Sequence, residues 1–457
     1  MLKSLNKPVD MTTGTPWKGI IQFTLPMLIG NIAQQLYATV DSIVVGKYIG
    51  DNALASVGSS APILNMILAL FIGISGGAGI MVSQYFGAKN RESLSYSVGN
   101  SIVATLICSL FLMIFATPFI HPVLKLLNTP GSIIGECTNY LTISVVGIAG
   151  LAFYNILSGI IRAMGDSIST LIYLLVATVI NIVLDIYFVA VINMGVGGVA
   201  LATVIAQFIS AILCFLKLKK MTGYFDMKIE YFRPMKKYIM TIIRLGLPSG
   251  LTQAIMSSAM IVVQSLTNCF GELFIAANVV IMRVDGFAMM PNFSFGMSLT
   301  TYSGQNVGAG YYDRVTKGAK QGTFIAVMCS TIITGIILLF GKHLMGVFTE
   351  TQELVDMSYR LMMILAAGYI AVAVSQSLSG IMRGAGDTMT PMWISLITTV
   401  FLRVPIAYGI SFLTRSEALP YGIKECIQIS LLASWVIGAL LTVIFYAKGN
   451  WKKRRLS

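Results

Sequence analysis

Charge is what this chain of 457 residues has least of. Asp, Glu, Lys and Arg make up 11% of it, against 56% hydrophobic residues and a mean hydropathy of +0.81. A soluble domain carries roughly 25% charge, so a water-facing globule is excluded. The short alternating segments of a membrane β-barrel are also missing. There is no G-x-x-x-x-G-K loop to cradle a nucleotide, which removes ATP as a direct energy source. No His/Cys/Glu cluster has metal spacing and no nucleophile elbow occurs, so neither an enzyme nor a resident cofactor is expected. The six cysteines have no paired spacing and mostly sit in apolar runs, as small packing residues do. A cleavable leader is not expected either, because the polar start MLKSLNKPVDMTTGTP runs into a full-length apolar segment.

What the chain does have is long apolar runs. A membrane-crossing helix needs about 20 apolar residues, and twelve such segments can be placed between residues 18–46 and 422–447. The expected fold is an all-α integral membrane protein. The net charge of +13 would suggest nucleic acid in a soluble chain, but its distribution points elsewhere. With both termini cytoplasmic, 23 of the 31 Lys and Arg fall on inner segments and 5 on outer loops. That asymmetry sets orientation by the positive-inside rule. The tail Lys452–Lys453–Arg454–Arg455 then reads as an anchor against anionic lipid rather than a nucleic-acid patch. A multi-pass monomer of the cell (plasma or inner) membrane is the expectation, with lipid around it and no nucleic-acid partner.

The twelve segments are two sixes. Ser158–Gly159–Ile160–Ile161–Arg162 with Gly165–Asp166 returns 221 residues later as Ser379–Gly380–Ile381–Met382–Arg383 with Gly386–Asp387. Gln84-x-x-Gly87–Ala88 returns at the same offset as Gln305-x-x-Gly308–Ala309, and Leu25–Pro26 returns as Leu247–Pro248. Six is even, so both halves enter from one side: a parallel repeat of the kind transporters use, with a substrate path expected where halves face each other. The domains follow as a six-helix bundle over 1–220, a basic linker over 221–240 and a second bundle over 241–457.

Acids inside apolar segments are costly and mark functional sites by default. Asp41 and Asp185 are two of very few here. Asn181 lies four residues before Asp185, hence on the same helix face. If that face meets Asp41, burial and like charge both favour the protonated form of a carboxyl, as proton-coupled exchange requires. The same oxygens could instead hold a sodium ion. Pro26 removes a helix hydrogen bond and permits a bend of the first span. Gln34 and Tyr37 share that span. In the second half Arg403 stands at nearly the repeat position of Asp185, and Asp285 is a candidate partner for it. Arg283 is only two residues from Asp285 and points to another face. Met256, Met260 and Met289 offer a soft, repackable surface suited to varied ligands, and Gln264 and Asn292 are further cavity-lining candidates.

Leu25–Pro26, Gln84–Tyr85–Phe86–Gly87–Ala88, the paired Ser-Gly-x-x-Arg-x-x-Gly-Asp motifs and the run from Arg283–Val284–Asp285 through Met290–Pro291 to Gly304–Gln305–Asn306–Val307–Gly308–Ala309–Gly310 resemble the multidrug and toxic compound extrusion (MATE) family, along essentially the whole chain. The resemblance implies a V-shaped pair of bundles with a central cavity, exporting drugs against an inward flow of protons or sodium. Asp41 with Asn181 and Asp185 resembles the DinF-like, proton-coupled branch, and Thr203 is carried over as a hydrogen-bond partner. The NorM-like branch is expected to carry a glutamate in the seventh span, and this chain has none there. The reading is a secondary active exporter, antiporting amphipathic, cationic compounds against protons by alternating access. Its rivals are a sodium-coupled exporter of the same family and a lipid-linked precursor flippase, which is expected to have an arginine-rich cavity and extra spans.

Overall fold

The computed structural model describes residues 8–126, 129–417, 419–453 and 456, and the side chains of 37, 38, 40–43, 51, 52, 54, 55 and 453 stand outside that description. The first half contains α1 (Pro16–Tyr48), α2 (Asp51–Gly87), α3 (Arg91–Ala116), α4 (Ile120–Leu126), α5 (Ile134–Val146), α6 (Ile148–Ala163), α7 (Ser167–Ile186) and α8 (Gly195–Lys220). The second contains α9 (Lys236–Asn268), α10 (Glu272–Gly308), α11 (Tyr312–Gly346), α12 (Gln352–Ala366), α13 (Gly368–Gly384), α14 (Met389–Leu396), α15 (Val404–Leu413) and α16 (Cys426–Ala447). No β-strand occurs among the described residues. Nine spans there are long and apolar enough to cross a membrane, and the bent pairs α5–α6 and α12–α13 bring the number to 11. The 33-residue α1 is the twelfth rod. The fold is all-α and membrane-spanning.

The α5–α6 and α12–α13 spans, each a single apolar segment in the sequence, are bent by 48° and 46°. The bends fall at equivalent places, Gly147 and Gly368. A Cβ on Gly147 would meet Val204 at 2.3 Å, and one on Gly368 would meet the Trp435 ring at 2.5 Å. Glycine is thus demanded by the neighbouring helix at each corner. The repeat extends to turn conformation: left-handed φ values recur in the pairs Gly50 and Gly271, Lys89 and Gly310, Gly165 and Gly386. After the last pair an aspartate caps the next helix in both halves. Asp166 accepts from Ser169 N–H at 2.9 Å and Asp387 accepts from Thr390 N–H at 3.3 Å, which satisfies donors that a helix start leaves open.

By contacts the chain forms two compact units. The first runs to Asp10 and resumes over Leu25–Gly250; the second comprises Met11–Thr24 and Leu251–Ser457. The grouping changes inside α1 and inside α9, in each case beside the repeated Leu-Pro pair. The basic stretch expected to link two bundles is attached to the first unit, and the first turns of α9 go with it. Its attachment is dense. Arg91 donates to the carbonyls of Thr222 and Gly223 and forks onto Asp226. Asn100 accepts from Met235 N–H at 2.7 Å and Ser95 accepts from Asp226 N–H at 2.8 Å. Tyr96 packs against the rings of Tyr231 and Tyr238. Residues 222–235 are a strap on α3.

Within each unit small residues let backbones approach, the expected means of cohesion where lipid is as apolar as a leucine core. In the first unit a Cβ on Gly77 of α2 would lie 2.3 Å from the Ile242 carbonyl oxygen of α9. In the second, one on Gly380 of α13 would lie 2.3 Å from the Gly296 carbonyl oxygen of α10. The second unit's core gathers Phe274, Ala277, Leu361, Tyr369, Ala407 and Cys426.

Candidate functional site

In the first unit the apolar helix α7 carries Asp185 near its end with a fully buried side chain, and Asn181 one turn earlier is 1% exposed. With its oxygen toward the carboxylate, the Asn181 amide would set acceptor against acceptor. In the opposite orientation it donates to Asp185 Oδ2 at 2.9 Å and accepts from Thr203 N–H at 3.2 Å. The four-residue spacing puts Asn181 and Asp185 side by side on α7, and Thr203 on α8 meets the amide through its backbone N–H. A carboxylate held by an amide inside an apolar span is costly to keep charged and gains from a hydrogen bond in that state.

Immediately after Asp185 the helix changes character. Tyr187–Val191 form a π-helical turn. Such turns insert an extra residue into the ladder and are frequent at functional sites. No sequence signal marks this one. The second unit repeats the device: α14 passes into a π-helical stretch, Ile397–Arg403, that ends on Arg403. Both fifth-span equivalents thus carry a widened turn beside a charged side chain.

Asp41 and Tyr37 lie outside the described residues as side chains, within the helix α1. Pro26 lies inside that helix without ending it, and Gln34 is exposed on it.

The second unit brings other expected residues together. Asp285 on α10 is half-buried, within hydrogen-bonding reach of the Tyr369 hydroxyl and in the field of Arg403. No ion pair within 4 Å forms between Asp285 and Arg403, so the expected pairing is one of charge across a gap. Asp285 Oδ1 and Arg403 Nε are both buried without a hydrogen-bond partner. Tyr369, which has no distinguishing spacing, is a member that sequence reasoning missed; its neighbour Met362 Sδ is 3.0 Å away. Asn292 is buried, donating to the Tyr369 carbonyl and accepting from Ser330 at 2.7 Å. Arg283 is exposed, as are Met256, Met260 and Gln264, the last donating to Asn268 at 2.9 Å. Met289 is in the core. Among the described residues no group of three or more His, Cys, Asp or Glu could hold a metal ion.

Two copies of one family model, MatE, match residues 26–187 and 248–409, spanning the repeat found in the motifs. The chain belongs to the MatE family. It is 28% identical over 448 residues to the probable multidrug resistance protein YoeA of Bacillus subtilis, covering 96% of this chain and 95% of that one. It is 24% identical to the probable multidrug resistance protein NorM of Thermotoga maritima, covering 96% and 93%. A multidrug resistance MATE transporter of the MOP superfamily, solved in an outward-facing conformation, superposes with a TM-score of 0.90 at 23% identity, covering 98% of this chain and 99% of that one. This protein is thus a multi-pass membrane protein of the MATE multidrug efflux transporters.

Proposed function

We propose that this MATE protein is a secondary active exporter that antiports small amphipathic, cationic compounds against inward-moving protons by alternating access. The observation that carries the reading is the Asp185 carboxylate, fully buried in a membrane span and hydrogen-bonded by Asn181. A buried carboxylate changes its free energy sharply on gaining or losing a proton. The adjoining π-helical turn is a segment whose extra residue can be absorbed or released, which would couple that charge change to the span. Asp41 joins this site by the sequence reading, and Pro26 gives α1 a place to bend. The amine of a cationic substrate and a proton would compete for the same carboxylates, which is the thermodynamic basis of exchange. The basic-residue asymmetry supports cytoplasmic termini in the cell membrane.

Proteoliposomes loaded with a fluorescent cation test the reading. An imposed pH gradient is expected to drive efflux in the native chain and not in Asp185→Asn or Asp41→Asn. Efflux that follows a sodium gradient at fixed pH, and ignores the pH gradient, would move the coupling ion to sodium.

A further inference from the structure

At the end of the first unit where basic residues gather, a cavity of about 360 Å³ opens between the start of the described chain, α7, α8 and the strap. Pro8, Tyr173, Lys217, Lys220, Gly223 and Tyr224 line it. Each wall is fixed by something else. The segment carrying Pro8 is held where Val9 N–H donates to the Gly165 carbonyl at 3.0 Å. Lys217, whose side chain is 12% exposed, pairs at 2.8 Å with the capping Asp166. Gly223 is clamped by Arg91 at 2.9 Å, and the Tyr224 ring packs on Phe86 with centroids 5.4 Å apart. Lys220 is the exception. It is exposed and makes no ion pair among the described residues.

The local charge is therefore unbalanced. Asp166 neutralises Lys217, Asp226 is taken by Arg91, and Lys220 remains as a cation lining a preformed cavity that Tyr173 and Tyr224 also line. Lys220 also ends a row. Phe208, Ile212, Leu216 and Lys220 follow one another at intervals of four on a single face of α8, and the three apolar members are all exposed. An exposed apolar stripe that ends in an ammonium group beside a polar cavity has the form of an anionic lipid: chains along the stripe, phosphate at the lysine. A solvated topology anchor needs the lysine but neither the walls nor the stripe.

We infer that this cavity is a specific site for the headgroup of an anionic phospholipid, with Lys220 contacting the phosphate and the acyl chains lying along Phe208, Ile212 and Leu216. The inference does not depend on the coupling reading, since it concerns another end of α8 and a ligand that is not transported.

Native mass spectrometry of the detergent-purified full chain tests it, with added phosphatidylglycerol and with phosphatidylcholine of the same acyl chains. Retention of one phosphatidylglycerol in preference to phosphatidylcholine is expected. Lys220→Gln should lower that retention about fivefold, the effect of one lysine facing an anionic lipid surface, while Lys220→Arg keeps it and Lys320→Gln, at an exposed lysine of the second unit, leaves it unchanged. Equal retention of the two lipids, or equal retention by Lys220→Gln and the native chain, would overturn the site. Displacement of the lipid by millimolar inorganic phosphate would overturn the lipid assignment in favour of a free anion. Matching thermal unfolding of the native and Lys220→Gln proteins separates loss of the site from loss of the fold.

Discussion

The fifth span of one unit and its counterpart in the other occupy the same place in a duplicated scaffold, yet they carry opposite charges. In the first unit Asp185 is sealed from solvent, bonded to Asn181, and followed by a π-helical turn. In the second, Arg403 is half-buried at the end of a π-helical stretch, and Asp285 acts on it through its charge without an ion pair between them. Duplication kept the backbone irregularity and released the chemistry. A widened turn accompanies a charged group in each span, which faces an amide in one unit and a carboxylate across a gap in the other. One bundle thus buries a group that can change charge, and the other carries a permanent cation, because guanidinium keeps its charge.

The largest expected effect separates these two. Asp185→Asn is expected to abolish efflux driven by a pH gradient, whereas Arg403→Gln should leave the pH-gradient dependence intact and alter the apparent substrate affinity. Efflux of a fluorescent cation at several imposed gradients reads both. If Arg403→Gln also erases the pH dependence, with affinity unchanged, the asymmetry between units is wrong.

A second comparison concerns close backbone contacts, where the units should behave alike. Gly77→Ala and Gly380→Ala each place a methyl group 2.3 Å from a carbonyl oxygen of the facing helix. Overpacking of that kind costs about 3 kcal/mol, and both variants should lower the thermal midpoint in detergent. Gly335→Ala, on α11 with nothing within 4 Å of the added carbon, should instead be neutral or gain up to about 1 kcal/mol from helix propensity. A drop in Gly335→Ala equal to the other two would show that the midpoint does not report on packing.

These contrasts mark what the sequence could and could not say. Twelve apolar runs, the offset of 221 and the acid-amide spacing of Asn181 and Asp185 are one-dimensional patterns, and all three are legible without coordinates. The bends at Gly147 and Gly368 are not, because the cause of each lies on another helix, at Val204 and Trp435. The π-helical turns leave no composition signal: YFVAV and ITTVFLR look like any apolar helix. Tyr369 escaped for the same reason, since only folding puts its hydroxyl beside Asp285. The polarity of the basic stretch after α8 suggests a linker, but polarity does not reveal that its carbonyls are collected by Arg91. Asp41, prominent in the sequence, rests on that reading alone.

The two arginine clamps allow a finer comparison, because each opens the third span of its half and collects carbonyls from a segment that leads into a first span. Arg314 donates to the carbonyls of Met11, Thr13 and Gly14 and to Asn306 Oδ1. Met11 is buried there, with its N–H on Gln305. Arg314→Ala removes these charge-assisted hydrogen bonds, two of them to exposed carbonyls, while the Met11 carbonyl keeps Asn306 Nδ2 at 3.1 Å; it should cost about 2 kcal/mol, in the range of hydrogen bonds to a charged group. Thermal unfolding measures it, and limited proteolysis should find new cleavage between residues 11 and 16. An unchanged midpoint would mean that water replaces the guanidinium there.

Arg91 should matter less, and in a way that pH can switch off. It lies on the surface with Asp226, to which it is joined at 2.7 Å. The hydrogen bond from Arg91 is the main reason the Asp226 carboxyl titrates below the usual carboxylate range. A depressed value in the folded state means that the pair stabilises the fold above the unfolded carboxyl value of about 4, and that this stabilisation fades as pH falls through the lower folded value. Asp226→Asn should therefore loosen the strap modestly at neutral pH, seen as faster proteolysis within 222–235. The difference from the native chain should shrink as the pH is taken below about 4, where Asp226 loses its charge in the unfolded chain first. Because the pair is exposed, added salt should shrink it as well. A gap between the two proteins that stays constant across both pH and salt would assign the strap's order to Asn100, Ser95 and the tyrosine stack alone.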